Sequence, residues 1–197
     1  MEYNIIMIGP PCSGKGTHSK RIAEKYGLTH ISTGDLFRQE IAKETPLGIL
    51  AKMLIDKGNL VPDSVTLKML FHHINSLKNA KGFLLDGVPR TLPQAELFEK
   101  FIDKHNIKCD LVFYLHSPDE VLFQRMHKRS TEGRADDNEH AFFKRMMNYF
   151  DLTHILTEYY LAKGKLIAIS TNAPIEEVSN KIFDCIDRYL RMVNGES

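Results

Sequence analysis

The sequence predicts an α/β fold built on a five-stranded parallel sheet with helices on both faces. Three observations carry that expectation. Five short strand-like runs, Ile5–Ile8, Leu28–Ser32, Gly82–Asp86, Leu111–Leu115 and Lys165–Ile169, are separated by longer stretches of helical periodicity. Apart from Leu28–Ser32, these runs are nearly continuous in apolar residues, as strands buried on both faces must be. The first run also leads into Gly9-Pro10-Pro11-Cys12-Ser13-Gly14-Lys15-Gly16-Thr17. Strand, glycine-containing loop, Gly-Lys and helix make the P-loop arrangement, in which backbone N–H groups converge on phosphate oxygens.

Taken in order, Ile5–Ile8 is the first strand, and Ser19–Tyr26 is a helix that stops at Gly27. Leu28–Ser32 is a brief second strand. Asp35–Lys43 and Leu47–Lys57 carry helical patterns separated by Thr45-Pro46, and Gly58–Pro62 is a loop. From Ser64 to Lys78, residues Leu67, Leu70, Phe71, Ile74 and Leu77 recur at helical spacing. Gly82–Asp86 is a strand ended by Gly87 and Pro89, and a helix follows over about Pro93–His105. After Leu111–Leu115, Ser117-Pro118-Asp119-Glu120 reads as a capping box with proline at the first helical position. A long helical pattern begins near Asn138 and keeps Phe142, Met146, Tyr149, Thr153, Leu156 and Tyr160 on one face. Lys165–Ile169 is the last strand and Pro174–Arg191 the last helix. Thr33–Val61 holds no strand of its own, so it reads as a helical excursion from the sheet and a small movable subdomain.

Composition narrows the function classes. A chain of 197 residues, 43% hydrophobic and 26% charged, fits one soluble globular domain. A net charge of +1 provides no broad basic field for nucleic acid. Cys12, Cys109 and Cys185 form no Cys-x-x-Cys pair, which argues against a structural zinc or a disulfide framework and for a reducing compartment. No signal peptide is evident, and no apolar run approaches the ~20 residues of a membrane span. A cytoplasmic monomer that binds neither nucleic acid nor membrane is the expectation.

Ligands of parallel sheets bind at the carboxyl ends of the strands. That rule brings Gly9–Thr17, Asp86–Arg90 and Ser170–Ala173 to one edge of a cleft. Lys15 is the point charge for the outer phosphates, and Thr17 offers a hydroxyl near a magnesium ion. Asp86, at a strand end beside the P-loop, suits a magnesium ion held through water. Six arginines accompany Lys15: Arg38, Arg90, Arg125, Arg129, Arg134 and Arg145. Each alone reads as a solvated surface group. Together they suit two phosphate chains brought end to end, because unit charges ~4 Å apart repel by ~4 kcal/mol at an effective dielectric of ~20. Arginine grips phosphate oxygens bidentately. The array therefore points to phosphoryl transfer between two bound phosphates.

The chain closely resembles the adenylate kinase family of nucleoside monophosphate kinases, of the short-lid type. The resemblance rests on Gly9–Thr17, Ser32-Thr33-Gly34-Asp35-Leu36-x-Arg38 and Leu60-Val61-Pro62. It continues in Asp86-Gly87-x-Pro89-Arg90, Lys128-Arg129 and Gly133-Arg134-x-Asp136-Asp137. It implies the P-loop nucleoside monophosphate kinase fold and magnesium-dependent transfer from ATP to AMP, giving two ADP. ATP would be bound by Cys12, Ser13, Gly14, Lys15, Gly16 and Thr17, with Arg129 and Ala173 at its base side. AMP would be bound by Thr33, Arg38, Asn59, Leu60, Val61, Gly87, Val88, Pro89, Arg90, Gln94, Arg134 and Arg145, with Gln94 on the adenine. Arg125, Arg134 and Arg145 would crowd the transferring group, joining Lys15, Arg90 and Arg129. Residues 32–61 would be the acceptor-binding subdomain and 129–139 a short lid, the remainder being core.

Two other readings are a UMP/CMP kinase and a catalytically silent nucleotide sensor. Thr33 and Gln94 favour AMP over the first, and the retained cations and aspartates argue against the second. Three residues depart from the family's habit: Cys12 for a common glycine, His18 for glutamine and Ala173 for glycine. Alanine at 173 would be strained if that position required positive φ. Lys15 and the helix N-terminus beside Cys12 suggest a reactive thiol, with a packed, inert thiol as the alternative; Cys109 and Cys185 should react more slowly.

Overall fold

The computed structural model describes residues 3–77, 81–105, 107–131 and 139–195. Its sheet has the strands β1 (Ile5–Ile8), β2 (Thr29–Ser32), β3 (Phe83–Asp86), β4 (Leu111–His116) and β5 (Leu166–Ser170). All four pairings are parallel, and the spatial order is β2-β3-β1-β4-β5. β1 is therefore central, flanked by β3 and β4, with Ile5 beside both Leu84 and Leu111.

The alternation of side chains along β1 explains its unbroken apolar run. Ile6 and Ile8 enter one core with Leu85, Val112, Leu70, Phe98 and Tyr160. Ile5 and Met7 enter the opposite core with Leu84, Phe113, Ile22, Val178 and Ile182. The helices over the first face are α4 (Asp63–Ser76), α5 (Leu92–Lys104) and α8 (Ile155–Ala162), and over the second α1 (Lys15–Tyr26) and α9 (Ile175–Asn194).

Local chemistry sets the helix starts. Ser32 accepts from the Asp35 N–H at the head of α2 (Thr33–Ala42), and Thr45 accepts from the Gly48 N–H at the head of α3 (Pro46–Ile55). α2 and α3 form the excursion after β2 and enclose a core of their own around Phe37, Ala51 and Val61. Their approach needs Gly48, since a Cβ there would lie 2.1 Å from the Glu40 carbonyl oxygen.

α6 (Asp119–Thr131) follows β4. Ser117, read as a helix cap, places its hydroxyl 2.9 Å from Thr171 Oγ1, tying the ends of β4 and β5 together. The long pattern from 139 is not uniformly α-helical. α7 (Glu139–Asn148) passes through a π-helical segment, Tyr149–Thr153, before α8. The His154 N–H bonds the Tyr149 carbonyl at 2.8 Å, the wider i→i+5 closure. α1 begins at Lys15, four residues before the helix read from the sequence, because glycines depress propensity but do not forbid a first turn. Among the described residues, no helix is long and apolar enough to cross a membrane.

Candidate active site

The loop after β1 leaves the sheet beside β4. Gly9 is required there: its φ is +154°, and a Cβ would lie 2.3 Å from the Leu115 carbonyl oxygen. Gly14, at φ 90°, is the left-handed residue from which α1 starts. Lys15 Nζ donates to the carbonyl oxygens of Gly9 and Pro10, each at 2.7 Å, so the loop folds around its own lysine. The Lys15 side chain borders the cleft, yet its ammonium sits deep. Burial pushes its pKa down to about 8; Asp86 opposes that shift, and Arg90 and Arg129 add to it. The Ser13 hydroxyl is fully buried and has no hydrogen-bond partner among the described residues.

One cleft of about 970 Å³ runs from this loop to the α2–α3 excursion. Cys12, Gly14, Lys15, Gly16 and Thr17 line its donor end, with Arg125, Arg129 and Ala173. Thr33, Arg38, Asn59, Leu60 and Val61 line the other end, with Gly87, Pro89, Arg90 and Gln94. Asp86 and Arg145 border the same cleft. Two of the expected residues stand apart by side chain. Ser13 lies behind the loop, and Val88 is fully buried in the core with Leu85 and Phe98. An apolar side chain at the end of β3 gains more from that core than from a polar cleft, so Val88 has only its backbone to offer a ligand. Arg134, Asp136, Asp137 and residues 132–138 of the expected lid lie outside the described residues.

The cations are held in place. Arg125 Nη2 donates to the Thr171 carbonyl at 2.6 Å and Nη1 to Thr171 Oγ1 at 3.2 Å. Arg90 Nε donates to the Gly87 carbonyl at 2.8 Å, and Arg38 pairs with Asp35. Arg145 Nη2 lies 3.5 Å from the Ile55 carbonyl oxygen. A Cβ built on Gly16 would come 3.4 Å from Asp86 Oδ2, which places that carboxylate against the start of α1.

A family model described as adenylate kinase matches residues 7–165. The chain belongs to the adenylate kinase family. Among similar members, an adenylate kinase of Bacteroides fragilis is 43% identical over 185 residues, covering 93% of this chain and 98% of the relative. One of Flavobacterium psychrophilum is 41% identical over 186 residues, 93% of this chain and 98% of the relative. One of Pseudarthrobacter chlorophenolicus is 42% identical over 183 residues, 92% and 95% respectively.

The three departures from the adenylate kinase pattern now have physical readings. Ala173 is not among the described non-glycine residues of positive φ, which are Cys12 and Glu44, so the expected strain at 173 is absent. Cys12 does take the glycine-like conformation, with φ 63°. Its thiol is buried among Leu122, Met126, Phe142 and Met146, and Arg129 Nη1 lies 3.5 Å from its sulfur. Cys185, by contrast, is half-buried on α9, so accessibility ranks the cysteines differently from the sequence expectation. His18 is buried, with Nδ1 3.0 Å from Ser179 Oγ on α9. Burial pushes its pKa down to about 4, and Arg21 and Arg125 add to the shift.

Several cleft-shaping residues escaped sequence reasoning. Thr153, in the π segment, donates to the Arg90 carbonyl at 2.8 Å. Asn148 Nδ2 donates to the Gly58 carbonyl at 2.9 Å, holding the loop before Asn59 against α7. Asp63 receives both Gln94 and Thr91. Asn148 follows Arg145 by three residues and so shares its helical face, a signal that could have marked it. Nothing in the sequence marks the pairing of Asp63 with Gln94.

Proposed function

We propose that this chain catalyses the reversible transfer of the γ-phosphoryl group of ATP to AMP, giving two ADP. The observation that carries the reading is the single cleft shared by the P-loop and the Arg90–Gln94 wall, with Arg125, Arg129 and Arg145 bordering it. An ATP hydrolase needs one phosphate site; a cleft with a second cationic wall suits a phosphate acceptor.

In this mechanism the N–H groups of residues 12–17 cradle the ATP phosphates, and Ser13, whose hydroxyl lies behind the loop, contributes through its backbone. Lys15 exchanges its two carbonyl partners for phosphate oxygens. Arg129 and Ala173 lie at the ATP base side. The acceptor base enters between the α2–α3 excursion and Gln94, contacting Thr33 and the backbone of Asn59, Leu60 and Val61. Backbone groups of Gly87, Val88 and Pro89 border it. Arg38 and Arg90 fix the acceptor phosphate, and Arg125, Arg134 and Arg145 stabilise charge on the group in flight. The bond from the γ-phosphorus to the bridging oxygen breaks as a bond to an AMP phosphate oxygen forms. That oxygen is already anionic, so no general base is required, and positioning with fixed charge does the catalysis.

Among the described residues no cluster of three His, Cys, Asp or Glu side chains could hold a metal ion. A lone carboxylate still fits magnesium, which keeps several waters and takes its other ligands from phosphates. Asp86, against the start of α1, is the group to hold it, with the Thr17 hydroxyl nearby. Magnesium bound with ATP neutralises charge on the outer phosphates. Residues 32–61 act as the acceptor-binding subdomain and 129–139 as a short lid; their closure excludes water that would otherwise take the phosphoryl group. Three free cysteines support a reducing, cytoplasmic setting, and the enzyme works as a monomer without structural zinc.

The test is ADP formation from ATP with AMP, UMP or CMP at matched concentrations. Preference for AMP is expected. Preference for UMP or CMP moves the protein to the pyrimidine kinases, and no turnover with any acceptor leaves a nucleotide-binding module.

A further inference from the structure

A carboxamide is nearly symmetric in shape but not in chemistry: one end only accepts hydrogen bonds and the other only donates. Rotating it by half a turn inverts what it recognises. Gln94 borders the cleft and is 2% exposed. Its Oε1 accepts the backbone N–H of Arg90 at 2.7 Å, and its Nε2 donates to Asp63 Oδ1 at 2.7 Å. The first partner is a backbone donor and the second a carboxylate acceptor, so only one orientation satisfies both. Asp63 is itself fixed, because Thr91 Oγ1 donates to its Oδ2 at 2.8 Å. The same Thr91 oxygen accepts from the Gln94 N–H at 3.2 Å, at the head of α5. Asp63 does not border the cleft; it stands behind Gln94 at the first position of α4.

We propose that Asp63 is a specificity-positioning residue: with the Arg90 N–H it locks the Gln94 amide in one orientation, and this lock selects a 6-aminopurine acceptor over a 6-oxopurine. The inference rests on the reading above that Gln94 meets the acceptor base. After its two anchors, the amide retains one N–H and one oxygen lone pair. Adenine offers a donor at its 6-amino group and an acceptor at N1, which complement that remaining pair. Hypoxanthine presents the inverse, an acceptor at O6 and a donor at N1. A freely turning glutamine would serve both bases; a locked one leaves the wrong base with opposed donors and opposed acceptors. Sites built from fixed polar groups reject mismatched partners by large factors for this reason.

The experiment measures kcat/KM for AMP and for inosine monophosphate, with ATP as donor, in the wild type and in Asp63→Ala, Asp63→Ser and Asp63→Asn. The Ala and Ser variants should lower the AMP-to-IMP ratio by about tenfold, chiefly through the acceptor KM, with the ATP KM unchanged. Asp63→Ser keeps a helix-start acceptor too short to reach Gln94, so either folded variant decides. Asp63→Asn keeps an oxygen for Gln94 and can turn its NH₂ to Thr91, so it should retain the ratio within about threefold. A ratio unchanged in the Ala or Ser variant overturns the lock while leaving the AMP reading in place. Loss in Asp63→Asn equal to that in the Ala variant overturns it in favour of a charge effect. A wild type that does not prefer AMP overturns the AMP reading itself, and the lock with it. In the nucleotide-free wild type the lock also requires slowly exchanging Gln94 side-chain amide protons by NMR; free exchange there overturns it without any variant.

Discussion

The two ends of the cleft are built in different ways. The donor end is almost a single stretch, Gly9–Thr17, whose lysine bonds carbonyl groups five and six residues back. It grows from β1, the central strand, whose neighbours on both sides are paired. The acceptor end is assembled from distant segments. Thr33 on α2 donates to the Gly87 carbonyl at 3.0 Å, Asp63 on α4 accepts from Gln94 of α5, and Asn148 of α7 donates to the Gly58 carbonyl. A loop held by its own neighbours keeps its shape whatever the rest of the chain does. A wall held by cross-chain hydrogen bonds can separate and re-form, and each bond is a separate point at which selectivity is adjusted. In the proposed mechanism the donor end would serve a common, fixed demand, the gripping of phosphates, and the acceptor end would serve discrimination and closure.

The largest test of this contrast removes the donor end's charge. Lys15→Met should lower kcat/KM by on the order of 10³ while leaving the fold intact, since an apolar stem of similar length replaces a buried cation. Near-wild-type turnover would remove the P-loop from the mechanism. A smaller loss should appear without mutation. With the Lys15 pKa pushed down to about 8, the free enzyme loses this proton as the pH passes that value. At pH 9 kcat/KM for ATP should fall about tenfold, whereas kcat should fall later, because bound phosphates restore the charged form. The sign for stability is opposite to that of a paired lysine. Between about 8 and the ordinary 10.5 the unfolded chain holds more protons at this group than the folded one. Lys15 therefore disfavours the folded state fully below about pH 8, and that penalty is relieved as the pH rises through the window. A pH profile of kcat/KM flat to pH 10 would show that Lys15 stays charged in the free loop.

At the acceptor end, effects should be smaller and confined to one nucleotide. Gln94→Ala should raise the AMP KM by roughly five- to tenfold, the loss of a hydrogen bond or so, and leave the ATP KM unchanged. Equal changes for both nucleotides would end the division of the cleft into two ends. Asn148→Ala should do the same more weakly, by about threefold, because it frees the Gly58 loop without touching the nucleotide. If its ATP KM moved instead, α7 would belong to the donor end.

The sequence by itself determined what depends on neighbours along the chain. Period and glycine placement were enough for the five strands, the excursion between β2 and β3 and the phosphate loop, because side-chain period, caps and a P-loop are set by residues a few positions apart, although the partners of each strand, such as Leu84 and Leu111 beside Ile5, are not. The arginines were legible by type, and the family pattern named their expected partners. What the chain order could not express is contact across the fold. The conversion of one helical run into α7, a π segment and α8, the burial of Val88 and of the Cys12 thiol, and the absence of strain at Ala173 follow from which surfaces meet. Asp63 and Gln94 stand 31 residues apart, and Asn148 and Gly58 stand 90 apart. Nothing in the composition or spacing of either member of these pairs announces the other. Only the packing of α4 against α5, and of α7 against the loop after α3, brings donor and acceptor to hydrogen-bonding distance, and hydrogen bonds fall away steeply beyond it.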